Sequence, residues 1–236
     1  MKNAFSILLC EGVSDLAFIS LFLINKLGYS YVTKGKRNIL VDGKSGEHSS
    51  WYSNGEIDLL ICSVGGCDKF NSFYNKYIQE LFNDVEITHL IVIKDADEDA
   101  VAAFNSIAFS GVQFELNKWH FGQYLNAFGF NVNYKSYIRV IPEHSCGALE
   151  TLVIEALLED EHDIAKSAIN YVDTLSPEEG RYLDKKRYKL KAKLGIMMNL
   201  IDPQRTFSSL TNKFSLLNFS NALIVDCFDF LSTLTL

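Results

Sequence analysis

The chain has 236 residues, 48% hydrophobic and 22% charged, which is ordinary globular usage and excludes a disordered or low-complexity polypeptide. Its net charge of −7 argues against a simple nucleic-acid coat, whose affinity comes mainly from Lys and Arg. An enzyme gripping phosphates through metal and a local basic patch stays open. Cys10, Cys62, Cys67, Cys146 and Cys227 are scattered, form no CxxC pair, and point to a reduced, cytoplasmic compartment.

Residues 5–10 are apolar apart from Ser6 and predict a fully buried strand. Glu11 and Asp15 interrupt the apolar character and no small-residue cleavage site follows, so the segment does not read as a signal peptide. Glu11-Gly12 makes a turn, Ser14 caps a helix to residue 27, and Gly28 stops it. The longest apolar run, residues 16–24, is short of the ~20 residues that span a bilayer, so no membrane partner is expected. Residues 37–41 form a candidate strand, and residues 57–63 another, followed by Gly65-Gly66. Residues 68–82 read as helix. Residues 88–94 form the clearest strand and run into Asp95-Ala96-Asp97-Glu98-Asp99. A helix over 116–128 and a strand over 137–141 come next. Beyond Gly147, residues 148–158, 163–175 and 178–200 read as helices, with Pro177 at a first helical position, and residues 221–234 as a last apolar helix.

This alternation predicts an α/β domain over residues 1–146, Rossmann-like, with a mostly parallel sheet and helices on both faces. A helical region over 147–236 packs on it. Sheets of this kind place their sites at the carboxyl ends of strands, and both acidic clusters directly follow strands.

Four carboxylates within residues 95–99 repel one another, and Mg²⁺ is a hard cation that would offset this while keeping waters for a phosphate substrate. The alternative is a solvated acidic turn whose last acid caps a helix. Glu11 follows a buried strand, where an acid is either used or stabilised by the helix dipole. Asp15, four residues on, shares its face and is either a ligand or a capping group.

Three pieces in order resemble the Toprim domain of primases, type IA topoisomerases, recombination-repair proteins and OLD-family nucleases. They are Cys10-Glu11-Gly12-Val13-Ser14-Asp15, Val64-Gly65-Gly66-Cys67-Asp68-Lys69-Phe70 and Ile93-Lys94-Asp95-Ala96-Asp97-Glu98-Asp99. Gly147-Ala148-Leu149-Glu150 is similar to the Gly-x-Leu-Glu of small stand-alone OLD-like Toprim proteins, which also carry a helical tail. The resemblance implies that Glu11 is a metal ligand or general acid/base and that Asp95 and Asp97 are metal ligands. It implies Asp99 as an auxiliary acid and Glu150 as a carboxylate for a second metal, Mg²⁺ or Mn²⁺. Cys10 departs from the aliphatic residue more usual before the glutamate. The Gly-Gly turn continues with Cys67-Asp68, so Lys69 is the basic residue left for a phosphate contact.

Residues 181–193 hold seven basic residues and one acid. Lys185, Lys189 and Lys193 share one stripe of a helix, which is either a solvated face or a phosphate-backbone contact. The five histidines show no zinc spacing, and His144, near Glu143 and Glu150, is a site neighbour or a plain loop histidine. Trp51, Tyr52, Tyr29 and Tyr31 either stack bases or belong to a surface loop.

The leading expectation is a metal-dependent nuclease, or a related phosphodiester phosphoryl-transfer enzyme, acting on DNA or RNA in repair or phage defence. The second is a non-catalytic Toprim-fold module that partners an ATPase, since the chain itself has no GxxxxGK[ST] loop. A phosphatase with an Asp nucleophile fits less well, because Asp97 is followed by Glu98 and the DxD is not on the first strand. A homodimer is compatible with either leading reading.

Overall fold

Continuous apolar strands need cover on both faces, and that requirement organises the fold. The computed structural model describes residues 4–33, 46–84, 87–125, 129–143, 146–175, 183, 185–205 and 210–234. Strand β1 (Ala4–Cys10) leads into helix α1 (Val13–Leu27), which ends where Gly28 takes φ +69°, and then into β2 (Ser30–Tyr31). Strands β3 (Glu47–Ser53) and β4 (Ile57–Val64) follow, and all of β4 is buried. Next come α2 (Phe70–Phe73), a π-helical turn (Tyr74–Ile78), α3 (Leu81–Asp84), β5 (Ile87–Asp95) and α4 (Ala100–Asn105). Strands β6 (His120–Leu125) and β7 (Asn131–Ile141) complete the sheet. Its order is β2-β3-β4-β1-β5-β7-β6. The four central strands, β4, β1, β5 and β7, run parallel, while β3 and β6 pair antiparallel at the flanks.

The remaining elements are helical: α5 (Leu149–Asp160), α6 (His162–Thr174), α7 (Lys186–Ile201), α8 (Leu210–Lys213) and α9 (Ala222–Phe228). They join α1 on one face of the sheet. Phe18 of α1 sits 5.5 Å from the Phe214 ring, 5.3 Å from Phe219 and 5.5 Å from Phe228. The opposite face packs Ile7, Leu9 and Val92 under Phe70, Phe73 and Phe109. Among the described residues no helix is long and apolar enough to cross a membrane.

Several expected elements differ. The helix over 116–128 is instead a turn with isolated bridges at 116–119 and strand β6 at 120–125. Along β6, His120, Gly122 and Tyr124 are half-buried and alternate with exposed Phe121, Gln123 and Leu125, a period of two that suits an edge strand. The helix over 68–82 is broken by the π-helical turn. Strand β3 was hidden because its half-buried serines blur the alternation, yet it buries Trp51 and Tyr52. Those two rings and buried Tyr29 are therefore not free to stack bases, whereas Tyr31 is exposed against Tyr52. The last apolar helix is α9 followed by a 3-10 segment, Asp229–Thr233. The strand expected at 37–41, Pro177 and His144 lie outside the described residues.

Candidate functional site

Strands β1 and β5 are parallel neighbours, with Leu9 opposite Val92, so their carboxyl ends share one edge. This places Glu11, just past β1, beside Asp95, the last residue of β5. The Asp95 N–H donates to Glu11 Oε1 at 3.2 Å. Gly65 and Gly66 both donate their N–H to the Glu11 carbonyl at 3.0 Å. Their φ angles of +88° and +143° are what glycine permits, so the Gly-Gly turn fixes the main chain from which Glu11 projects.

Side chains alternate along β5. Ile93 belongs to the core beneath α1 and α5, so Asp95 turns toward the same face. There its Oδ1 accepts the Leu149 N–H at the start of α5, at 2.9 Å. Asp15, in the first turn of α1, accepts the Gly12 N–H through Oδ2 at 2.7 Å. Glu150, in the first turn of α5, pairs with Lys191 of α7 at 3.6 Å. Lys94 turns to the other face. Only 5% exposed, its Nζ donates to the Cys67 carbonyl at 2.7 Å, stands 3.6 Å from Glu11 Oε1 and lies 5.0 Å above the Phe70 ring.

The carboxylates feel both burial and each other. Burial raises the Glu11 pKa; Lys94 opposes the rise and Asp97 adds to it. Burial pushes Asp15 up to about 7, with Glu11 and Glu150 adding repulsion against the Gly12 hydrogen bond and Lys191. Asp95 is raised well above the usual carboxylate range by burial and by Asp15 and Glu11, against the Leu149 N–H. Four acids, from the end of β1, the first turn of α1, the end of β5 and the first turn of α5, thus converge electrostatically, a crowding that favours a proton or a cation.

Asp97 adopts φ +49° and donates its N–H to the Gly147 carbonyl at 2.7 Å, which ties the DxD turn to the start of α5. Asp99 caps α4: its Oδ1 accepts the Val101 and Ala102 N–H groups. Both acids line the same cleft of 980 Å³ as Glu11, Asp95 and Glu150. The basic stripe divides. Lys185 lines the cleft, whereas Lys69, Lys189 and Lys193 are not among its lining residues. Lys193 is held by Asp173 at 2.8 Å, and exposed Lys69 by its neighbour Asp68 at 3.5 Å. Sequence reasoning missed Lys94 and Lys191 as site lysines. A lysine inside the most apolar strand, directly before an acid, was the available signal for Lys94. Nothing local singles out Lys191 from six other basic residues.

Among the described residues no group of three His, Cys, Asp or Glu side chains is placed to hold a metal ion. The donor chemistry still suits Mg²⁺, a hard ion that takes one or two carboxylates and leaves its other positions to water and substrate phosphate.

No curated protein matches the sequence. A similar solved structure is that of a hypothetical protein from Pyrococcus horikoshii OT3. It is 14% identical, with 96% of this chain and 98% of that chain covered and a TM-score of 0.44. The family model described as "Protein of unknown function (DUF3226)" matches residues 6–236, so the chain belongs to that family.

Proposed function

We propose that this protein is a Mg²⁺- or Mn²⁺-dependent phosphoryl-transfer enzyme of the Toprim type that cleaves phosphodiester bonds in DNA or RNA. The observation that carries the reading is the convergence of Glu11, Asp15, Asp95 and Glu150 beside one carboxyl edge of the sheet, with their charges crowded rather than dispersed. One or two of these carboxylates, Asp95 and Asp15 foremost, would hold the metal beside Glu11, its other positions being left to water and substrate phosphate. Bound there, the metal would neutralise charge on the phosphoryl oxygens and activate water. Lys185 and Lys191, on the cleft wall, supply positive charge for the substrate backbone. Glu11 is suited to hold and move a proton, because burial raises its pKa toward the working range of a general acid/base while Lys94 limits the rise.

The test is Glu11→Gln, which keeps the shape and removes the proton-accepting oxygen. Nucleic-acid binding survives while metal-dependent cleavage falls by at least about a hundredfold. Wild-type protein that cleaves neither DNA nor RNA with either metal, alone or with an ATPase partner, would transfer the case to the non-catalytic binding module. Cleavage unchanged in Glu11→Gln would place the chemistry on other residues.

A further inference from the structure

Strand β6 is the last strand of the sheet, so its outer edge meets no other strand among the described residues. Edge strands are normally blunted by charge, proline, a bulge or short length. This one runs six residues as His-Phe-Gly-Gln-Tyr-Leu, without Lys, Arg, Asp, Glu or Pro. Phe121 and Leu125 point to one face and are 71% and 65% exposed. Phe130, just before β7, adds a further exposed ring at 68%.

We propose that β6 pairs antiparallel with β6 of a second copy of this chain, joining two seven-stranded sheets across a two-fold axis. The outer edge of a terminal strand can take another strand by backbone pairing, which makes a strand the fitting occupant. The side-chain pattern then selects the same strand. With the axis at Gln123, Phe121 of one copy stands opposite Leu125 of the other, and Leu125 opposite Phe121, all on one face. Cross-strand aromatic–aliphatic pairs of this kind are the stabilising unit of a sheet. A slip of one residue would set Phe121 opposite Tyr124 and Leu125 opposite His120, losing both pairs. Gln123 at the axis meets its own copy; its Nε2 donates to Asn133 Oδ1 at 2.9 Å, which leaves a second N–H and the amide oxygen for the self-contact. The opposite sheet edge is β2, two residues long among the described residues, so head-to-tail stacking of β6 on β2 has little to pair with there. The contact therefore closes as a dimer instead of growing into a filament. This contact does not depend on what the acidic cleft does.

Light scattering on the full chain during gel filtration should give twice the 26.7 kDa chain mass. The exposed pair Phe121→Lys with Leu125→Lys should shift it to one chain mass with an unchanged circular dichroism spectrum. In a background of Cys67→Ser and Cys146→Ser, which removes the exposed thiols, Gln123→Cys should yield a covalent dimer with a short thiol-to-thiol cross-linker. Asn133→Cys, on the neighbouring β7, should not. A monomeric wild type, or a dimer indifferent to the lysine pair, overturns the proposal; the first outcome leaves the edge to a different partner. A lysine-sensitive dimer with no cross-link at position 123 overturns the register and the two-fold axis.

Discussion

Lys94 joins the two chemistries of the site: it is buried in an apolar layer yet touches the glutamate that follows β1. Replacing it by Met keeps the length and apolar packing on Phe70, but strands Glu11 near Asp97 and leaves the Cys67 carbonyl without its donor. The expected loss is about 1–3 kcal/mol in urea denaturation, the usual penalty for orphaning a buried polar partner. Glu11 can relieve its share by protonating. Its folded pKa then lies further above the unfolded value, so stability falls as pH rises through that folded pKa, and the deficit of Lys94→Met should be larger at about pH 8 than at about pH 5. A pH-independent deficit would mean that Lys94 acts by packing alone. His89 offers a second titration, away from the site. It is 1% exposed, its Nδ1 lies 3.1 Å from Ser6 Oγ, and burial lowers its pKa from 6.5 to about 4. Between those values the unfolded chain takes up a proton that the folded one refuses, so His89 lowers stability as pH falls from about 6.5 to about 4. Subtracting the pH–stability curve of His89→Gln from that of the wild type cancels the carboxylates common to both and should leave this slope; a flat difference would contradict it.

At the scale of elements, the site depends on how β5 is joined to α5. Asp97 and Gly147 form an isolated antiparallel bridge, and Gly147 adopts φ +152° directly before α5. A methyl group there would collide with the Thr151 side chain, whose Oγ1 accepts the Ala148 N–H. Gly147→Ala should therefore destabilise the fold by about 1–3 kcal/mol, as strained backbone positions do. It should also weaken any metal-induced stabilisation, because Leu149 and Glu150 would shift relative to Asp95. Gly195→Ala, in the interior of α7 with open space around its added carbon, is the control and should be neutral or slightly stabilising.

For the whole molecule, the crowded carboxylates set the response to cations. An ion that binds only the folded state stabilises it, by about 2.7 kcal/mol at a hundred times its Kd. Mg²⁺ or Mn²⁺ should raise Tm in a scanning-fluorimetry titration. Asp15→Asn with Asp95→Asn should abolish the increment while raising Tm in chelator, because two mutually repelling acids become neutral. An increment that survives the double substitution would put the ion elsewhere.

Local pattern was enough to read the architecture where a residue's surroundings are set by its own neighbours in the chain. The short, mainly apolar runs of β1, β4 and β5 read as strands covered on both faces, and the acids after β1 and at the end of β5 mark where the cover stops. Gly28 and Asp99 ended and began helices as their types predict. Long-range pairing chose the rest. That Glu11 and Asp95 meet depends on β1 and β5 lying side by side and parallel, a choice made by the order of the sheet. β6 is a strand because β7 offers it an edge, although residues 116–128 read as a helix on their own. Lys191 and Glu150 join the site from α7 and α5, two helices that meet only through tertiary packing, and Lys193, two residues along from Lys191, is drawn away by Asp173. The reason is physical: burial and partner are properties of three-dimensional neighbours, and a lysine's role follows from which carboxylate stands within reach.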